Sequence, residues 1–563
     1  MTQVITGIVG LASSRQPPQP QAEPHVQLFQ QATVLQEKGE LESALAKFSR
    51  ALELKPGFNE ARCNRATVLH ELERYQEACD EFERLTDRWP NISEVHCNLA
   101  ASLLKLNRIE ESVTSGRRAI ALDSRHPEAH CNLGVALREL ERHDEALVAF
   151  EQAIELKPNY LYAIYCSGVA MFKLGQYEEA LEVFNRTLEI EPEHSDALTY
   201  RAIILSNMCR QEEALTAFDQ AIAIDSENVS ANFNKSLALM SIGNYVAAWP
   251  LYEWRKKMRP NNYPQWPYKE AWLGEKALTG KRILVHLEQG MGDFIQNCRY
   301  TSQLAAMGGQ VILQTTDELL GVAATLADSP TIVSKNDPLP DFDAYIALMS
   351  LPLAFNTTLE NVPADIPYLY CDKEKQNGWR NILGKRSIKK RIGLAWSGSS
   401  NYPGDSKRSI PLESLKEILQ LPCEFHVLQK EIRPADQITI DGMPQLKQWC
   451  DQLHDFSDTA ALIEEMDLLI SVDTSVAHLG GALGKPVWLL LSRTPEFRWM
   501  REGEHTPWYP SFRIWRQKDD QGWPPVIKAV TAELKQHYIP PSWLNSCMDW
   551  AGKLRAWLHK PVS

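Results

Sequence analysis

No apolar run in the 563 residues reaches the ~18 needed for a membrane helix. Positive charge is in short supply as well: 59 Lys and Arg face 72 Asp and Glu, a net charge of −13 at pH 7. That balance argues against a nucleic-acid or anionic-membrane binder driven by bulk electrostatics, while leaving room for a local basic pocket. The eleven cysteines are odd in number and scattered, with no Cys-x-x-Cys pair and no Cys/His metal spacing. They read as reduced thiols of a cytosolic protein. The first residues, MTQVITGIVGLASS, hold a short apolar piece with no positive region ahead of it, so a signal peptide is not expected. There is no Gly-x-Gly-x-x-Gly turn with a ribose-binding acid, and no Asp-x-Asp pair stands out at a strand end.

What is present is too long for one core and implies about three to four domain-sized units at ~100–200 residues each. Residues 1–26 form a leader, rich in Pro and Gln over 15–25, that is expected to be disordered. Over 27–260 a period of 34 residues runs through Ala44, Ala78, Ser112, Ala146, Ala180, Ala214 and Ala248. Four residues after each stands a bulky side chain, Phe48, Phe82, Phe150, Phe184, Phe218 and Tyr252, with Gly116 the exception. Pro56, Pro90, Pro158, Pro192 and Pro260 close the units. The pattern resembles the tetratricopeptide repeat (TPR), a helix-turn-helix unit of this length, in about seven copies. Such units stack into an α-solenoid whose first helices line a concave face. Asn64, Asn98, Asn132 and Asn234 share one phase of those helices. An Asn clamps a peptide backbone by donating to a carbonyl and accepting from an N–H. The arrangement resembles the asparagine ladder of O-GlcNAc transferase, which would make these four acceptor-binding; an ordinary consensus role inside the repeat is the alternative.

Residues 261–280 are a junction dense in Trp, Tyr and Pro, expected to be rigid because aromatics of this size bury large areas. Strands are expected at KRILVHL, VILQT and Asp343–Leu348, and a linker over 362–385. A second α/β unit begins near Arg391, with strands RIGLA, FHVLQ, LLISV and VWLLL, and residues 523–563 read as C-terminal helices. The chain is organised around Ser471–Trp488, SVDTSVAHLGGALGKPVW. An apolar strand there runs into Asp473 and Thr474 and then a helix start. That places backbone N–H groups at the carboxyl edge of a parallel sheet, where α/β folds bind ligands and where phosphate is favoured. Thr474 and Ser475 add hydroxyls and His478 lies one turn on. Asp-Thr-Ser is equally an ordinary N-cap cluster.

Two Rossmann-like units, 281–385 and 386–522, suggest the GT-B architecture. HLEQGMGDFIQNCRY, GLAWSGSS with KRSIPLESL, HVLQKE, and SVDTSVAHLGGALGKPVWLLL resemble the family 9 glycosyltransferases, which include the ADP-heptose heptosyltransferases, and most closely a bacterial group with TPR repeats in front. The fold class expected is thus α plus α/β: a TPR solenoid followed by a GT-B module. The resemblance implies that Asp293 is the base taking the acceptor's proton, an N-cap being the other reading. It implies donor-phosphate contacts from Asp473, Thr474, Ser475 and His478, with Ser475 standing where the family tends to have Gly. Gly290 and Gly292 would let the backbone approach closely, or only shape the turn. Trp396, Ser397 and Gly398 end a strand expected to face the same cleft. Lys407, in a polar loop, and Gln429 and Lys430, at the edge after HVL, are further donor-binding candidates; a solvated charge pair is the competing reading of Lys407-Arg408.

The expected function is an inverting, metal-independent glycosyltransferase with no cofactor beyond its nucleotide-sugar substrate. It would act in the cytoplasm on a protein held by the TPR groove, bacterial flagellin being one such acceptor. A homodimer through the repeats is a further expectation, and no nucleic-acid partner or membrane span is expected. The alternatives are a TPR scaffold with an inert GT-B module, or a lipopolysaccharide or other glycan glycosyltransferase.

Overall fold

The computed structural model describes residues 23–258, 260, 263–264, 266–400, 404–493, 496–518 and 522–539. The leader up to residue 22 and the helices expected beyond 539 lie outside the described residues. The chain divides into two compact units at Asn228 and Val229, and each is taken by itself.

Among the described residues the first unit is a helical solenoid of six pairs: α1 Pro24–Glu37 with α2 Leu41–Leu54, α3 Asn59–Glu71 with α4 Tyr75–Arg88, and α5 Ser93–Lys105 with α6 Ile109–Leu122. The other three are α7 Pro127–Glu139 with α8 His143–Leu156, α9 Leu161–Leu174 with α10 Tyr177–Ile190, and α11 Ser195–Asn207 with α12 Gln211–Ile224. The second helices open with acidic residues such as Glu77, Glu111 and Glu213, which favour the positive end of the helix dipole. Arg74, Arg108, Arg142 and Arg210 just ahead of those helices each grip the Glu three residues on, both arms at 2.7 Å. The period is also written in the backbone. Gly39, Glu73, Asn107, Glu141, Gly175 and Cys209 all take positive φ where the first helix of a pair ends. Only two of these are glycine, so tertiary packing holds four L-residues in a conformation they seldom adopt.

Each pair closes on a small residue and an aromatic ring. Ala44, Ala78, Ser112, Ala146, Ala180 and Ala214 are fully buried, as are Phe48, Phe82, Phe150, Phe184 and Phe218. Phe150 fits only because residue 134 is glycine: a Cβ there would lie 2.6 Å from the ring. Where the aromatic is missing, at Gly116, the backbone approaches Leu133 instead.

The second unit begins with a seventh pair, α13 Val229–Ser241 and α14 Tyr245–Tyr252. Among the described residues two parallel sheets follow. The first has β1 Glu270–Ala271, β2 Arg282–His286, β3 Gln310–Thr315, β4 Thr331–Ser334 and β5 Ala344–Ala347, in the order β1-β5-β2-β3-β4. The second has β6 Arg391–Ala395, β7 Glu424–Val427, β8 Leu446–Lys447, β9 Leu468–Val472, β10 Val487–Leu491 and β11 Phe512–Arg516, in the order β11-β10-β9-β6-β7-β8. Parallel strands covered on both faces read as unbroken apolar runs, as LLISV and VWLLL do. The strand order reverses between β2 and β5 in the first sheet and between β6 and β9 in the second, and crevices for ligands open at such points.

Residues 362–385, expected as a linker, contain a helix, Lys373–Leu383, capped by Asp372 and anchored by buried Trp379. Its first six residues, KEKQNG, carry no apolar side chain, and Trp379, Ile382 and Leu383 crowd at its end, too little to mark a helix. The helix Pro524–His537 lays Val526, Ile527, Val530 and Leu534 on the second sheet's core. Among the described residues no helix is long and apolar enough to cross a membrane.

Candidate functional site

The site is built where the carboxyl ends of the two sheets meet, both within the second unit. After β2 the chain makes the turn Gln289-Gly290 and enters the helix Met291–Asn297. After β9 it turns at Asp473-Thr474 into the helix Ser475–Ala482. Gly292 lets the two helices touch, since a Cβ on it would sit 3.0 Å from the His478 ring. Asp293 is not the N-cap, which is Gly290, but the third residue of the helix: its Oδ2 reaches back to accept the Gly290 N–H at 3.1 Å, the half of a capping box that a glycine N-cap allows. The other oxygen is engaged across the crevice: Oδ1 accepts from Arg498 Nη2 at 2.6 Å.

Arg498 is the residue that sequence reasoning missed. It sits in the short turn Phe497–Trp499 after β10, with no periodicity or motif to mark it. Burial works against its charge, but Asp293, Glu496 and Asp473 outweigh that and hold it protonated. Its Nη1 lies 3.3 Å from His478 Nε2. Arg can only donate, so Nε2 accepts, and Nδ1 carries the proton toward the Tyr509 hydroxyl at 2.9 Å. That single tautomer suits a neutral ring, and burial, reinforced by Arg498, Arg299 and Arg408, holds the His478 pKa well below 6.5. Asp473 is the opposite case: burial pushes its carboxyl up from 3.8 to about 6, with Arg498 opposing and Glu496 adding.

Thr474, not Ser475, is the N-cap residue, yet its side chain makes no cap. Its hydroxyl turns instead to Ser471 Oγ at 3.1 Å. At the switch point of the second sheet, Arg408 Nη1 donates to the Asp473 carbonyl at 2.8 Å. Gly398 makes room for that arm, because a Cβ there would lie 2.3 Å from Arg408 Nη2. Of the neighbouring cations it is thus Arg408 that turns in, while Lys407 is exposed.

Three expectations need correction. Trp396 does not face the crevice. Its ring lies in the core of the second sheet and its Nε1 donates to Asp436 at 2.9 Å, because alternation along β6 points residue 396 inward. Gln429 is used up structurally: Oε1 accepts the N–H groups of Trp396 and Ser397, and Nε2 donates to Ser397 Oγ and the Glu431 carbonyl. The asparagine phase is not displayed for a ligand in the first unit, where Asn64, Asn98 and Asn132 are 1%, 0% and 2% exposed. Asn132 donates to the Cys97 carbonyl of the preceding repeat, a contact between repeats. In the second unit Asn234 bonds back to Ser230, one turn earlier. Lys430 is exposed, its Nζ 3.4 Å from the His454 carbonyl. Asp341 and Asp343 form an Asp-x-Asp pair at the amino start of β5, away from the crevice, where Arg282 and Lys269 neutralise them.

Comparison with known proteins bears on the repeats. A tetratricopeptide repeat model matches residues 127–160, another tetratricopeptide repeat model matches 29–91, and the Fis1 C-terminal tetratricopeptide repeat matches 162–212. The repeats are therefore TPRs. Protein FlbA of Caulobacter vibrioides is 24% identical over 329 residues, covering 54% of this chain and 54% of that protein. The chain thus spans about half the length of the curated relative it matches. Among solved structures, YrrB, described as a TPR protein with an unusual peptide-binding site, is 22% identical with a TM-score of 0.30, over 34% of this chain and 98% of that one. A tetratricopeptide repeat protein from Parabacteroides merdae is 16% identical with a TM-score of 0.36, over 42% of this chain and 94% of that one.

Proposed function

We propose that the second unit is a GT-B glycosyltransferase, inverting and metal-independent, of the kind its motifs resemble in family 9. The acceptor is a protein recruited by the TPR solenoid, bacterial flagellin being one such protein. The observation that carries the reading is the Asp293–Arg498 pair, which joins the carboxyl edges of two parallel sheets beside a helix start that no side chain caps.

Sugar transfer needs a base for the acceptor hydroxyl and positive or N–H groups for the departing nucleotide phosphate. Asp293 is the base. Arg498, Arg408 and the first N–H groups of Ser475–Ala482 receive the phosphate. The oxygen that must take the proton is engaged by a guanidinium, and the arrangement answers this. A bound phosphate draws on Arg498 and loosens its hold on Asp293, so the base is released when the donor is in place. The acceptor oxygen then bonds to the anomeric carbon as the bond to the nucleotide phosphate breaks, and its proton passes to Asp293. Neutral His478 orients Arg498 through Nε2 and adds no competing charge.

The test is thermal unfolding of the full chain with ADP, UDP, GDP and CMP. One of them at ~100 times its dissociation constant should stabilise the protein by ~2.7 kcal/mol, an effect expected to vanish in Arg498→Gln. No response to any of the four would sink the transferase reading. The second reading, a TPR scaffold or interaction protein, is favoured by the fact that every family match falls within residues 29–212. Loss of transfer but not of partner binding in Asp293→Asn would exclude it.

A further inference from the structure

One buried cation has no part in the chemistry above. Arg255, just after α14, is 4% exposed and lies at the switch point of the first sheet. Its Nε and Nη2 grip the two oxygens of Glu288, at 3.0 and 2.9 Å, and Nη2 also donates to Ser350 Oγ at 2.8 Å. Glu288 follows β2 and Ser350 follows β5, so one guanidinium ties the ends of the two central strands. Glu288 also accepts the Met349 N–H at 2.7 Å. The remaining arm, Nη1, reaches the Tyr252 carbonyl at 3.1 Å and Glu253 at 2.6 Å.

The same helix pair reaches both turns of the site. Gln289, next to Gly290, donates from Nε2 to the Tyr252 hydroxyl at 3.1 Å. Phe497, next to Arg498, has its ring 6.0 Å from Tyr252 and 6.4 Å from Trp249. The Ser241 carbonyl at the end of α13 accepts the Arg501 N–H at 3.2 Å, and the Tyr245 hydroxyl accepts from Trp508 Nε1 at 3.0 Å. Gly243, at positive φ, sits where a Cβ would meet Leu359 at 2.6 Å and Met500 at 2.9 Å. An apolar seam would bind two elements together with less desolvation than this one. A fully paired polar network adds direction and fixes one geometry.

We infer that the seventh TPR unit is a working part of the site: Tyr252 and Arg255 are positioning residues that set the turns carrying Asp293 and Arg498. The chemistry they serve rests on the transferase reading above; the positioning itself does not. The test uses the full chain with Tyr252→Phe and Arg255→Lys, both of which keep the bulk of the side chain, the first staying usable where the second fails to fold. Hydrogen–deuterium exchange is followed over residues 287–299 and 496–501, with binding of ADP, UDP, GDP and CMP measured in parallel. Exchange about tenfold faster over 287–299, where the lost hydroxyl and guanidinium bonds lie, is the expected result, with a smaller rise over 496–501, whose ring contact with residue 252 both variants keep, and helices α1 to α12 unchanged. Turnover should fall about tenfold while the donor KM stays within about twofold. Unchanged exchange in those turns, or an equal rise throughout the chain, would overturn the inference. A wild-type chain that binds none of the four nucleotides counts against the transferase reading, and the exchange data still decide the positioning.

Discussion

Replacing Asp473 by Asn should make this protein more stable at neutral pH. The carboxyl is buried at the end of β9, and burial raises it from 3.8 to about 6, Arg498 and Arg408 opposing and Glu496 adding. The folded state therefore holds the proton more tightly than the unfolded chain. The contribution is fully present below pH ~3.8 and is lost as pH rises through ~6. At ~1.4 kcal/mol for each pH unit, the ionised carboxylate costs the fold about 3 kcal/mol at pH 7. Asp473→Asn removes that cost at nearly constant size. The rise to about 6 already contains the opposing pull of Arg498 and Arg408, so the net gain should be ~2–3 kcal/mol at pH 7 and smaller by about 2 kcal/mol at pH 4. Tryptophan fluorescence during urea unfolding reads the right unit, since of 16 tryptophans only Trp89 precedes Val229. A variant less stable than wild type at pH 7, or one shifted equally at both pH values, would mean that the buried carboxylate is no cost to the fold.

Gly292→Ala should lower the fluorescence-detected unfolding free energy by ~1–3 kcal/mol, because its Cβ meets a His478 ring held by Tyr509 and Arg498. Gly290→Ala, whose nearest neighbour is an Asp293 oxygen at 3.4 Å, should change it by less than ~1 kcal/mol. In the solenoid, Gly134→Ala gains ~1 kcal/mol of helix propensity but forces a Cβ to 2.6 Å from Phe150, a net loss of up to ~2 kcal/mol in far-UV circular dichroism melts. Gly116→Ala, with ordinary contacts from 3.4 Å, should go the other way. Gln429→Leu leaves the N–H groups of Trp396 and Ser397 without their acceptor and should cost ~2–4 kcal/mol. An unchanged melt with altered nucleotide binding would instead make Gln429 a ligand.

How much of this was legible follows the range of each signal. Ala44 through Ala248, with the rings four residues on, were readable because a repeated unit writes the same local packing problem again and again. The strands LLISV and VWLLL were readable because burial on both faces leaves an apolar run. Asp293, Asp473, Thr474 and His478 could be nominated because a turn that ends a strand is a local feature, and the crevice lies where such turns gather. The left-handed residues Glu73, Asn107, Glu141 and Cys209 carried no glycine to betray them.

From its own order of residues the chain determined the period of its helices, the position of its strands and which turns stand at a sheet edge, all matters settled within a few tens of residues. Tertiary packing alone settles that Arg498 meets Asp293 from 205 positions away, that Arg408 turns inward rather than Lys407, that Trp396 belongs to the core, and that Arg255 fills the first sheet's switch point. Those are choices among chemically similar side chains. Burial, charge pairing and the space left by Gly292 and Gly398 make them, and these quantities do not exist until distant segments are brought together.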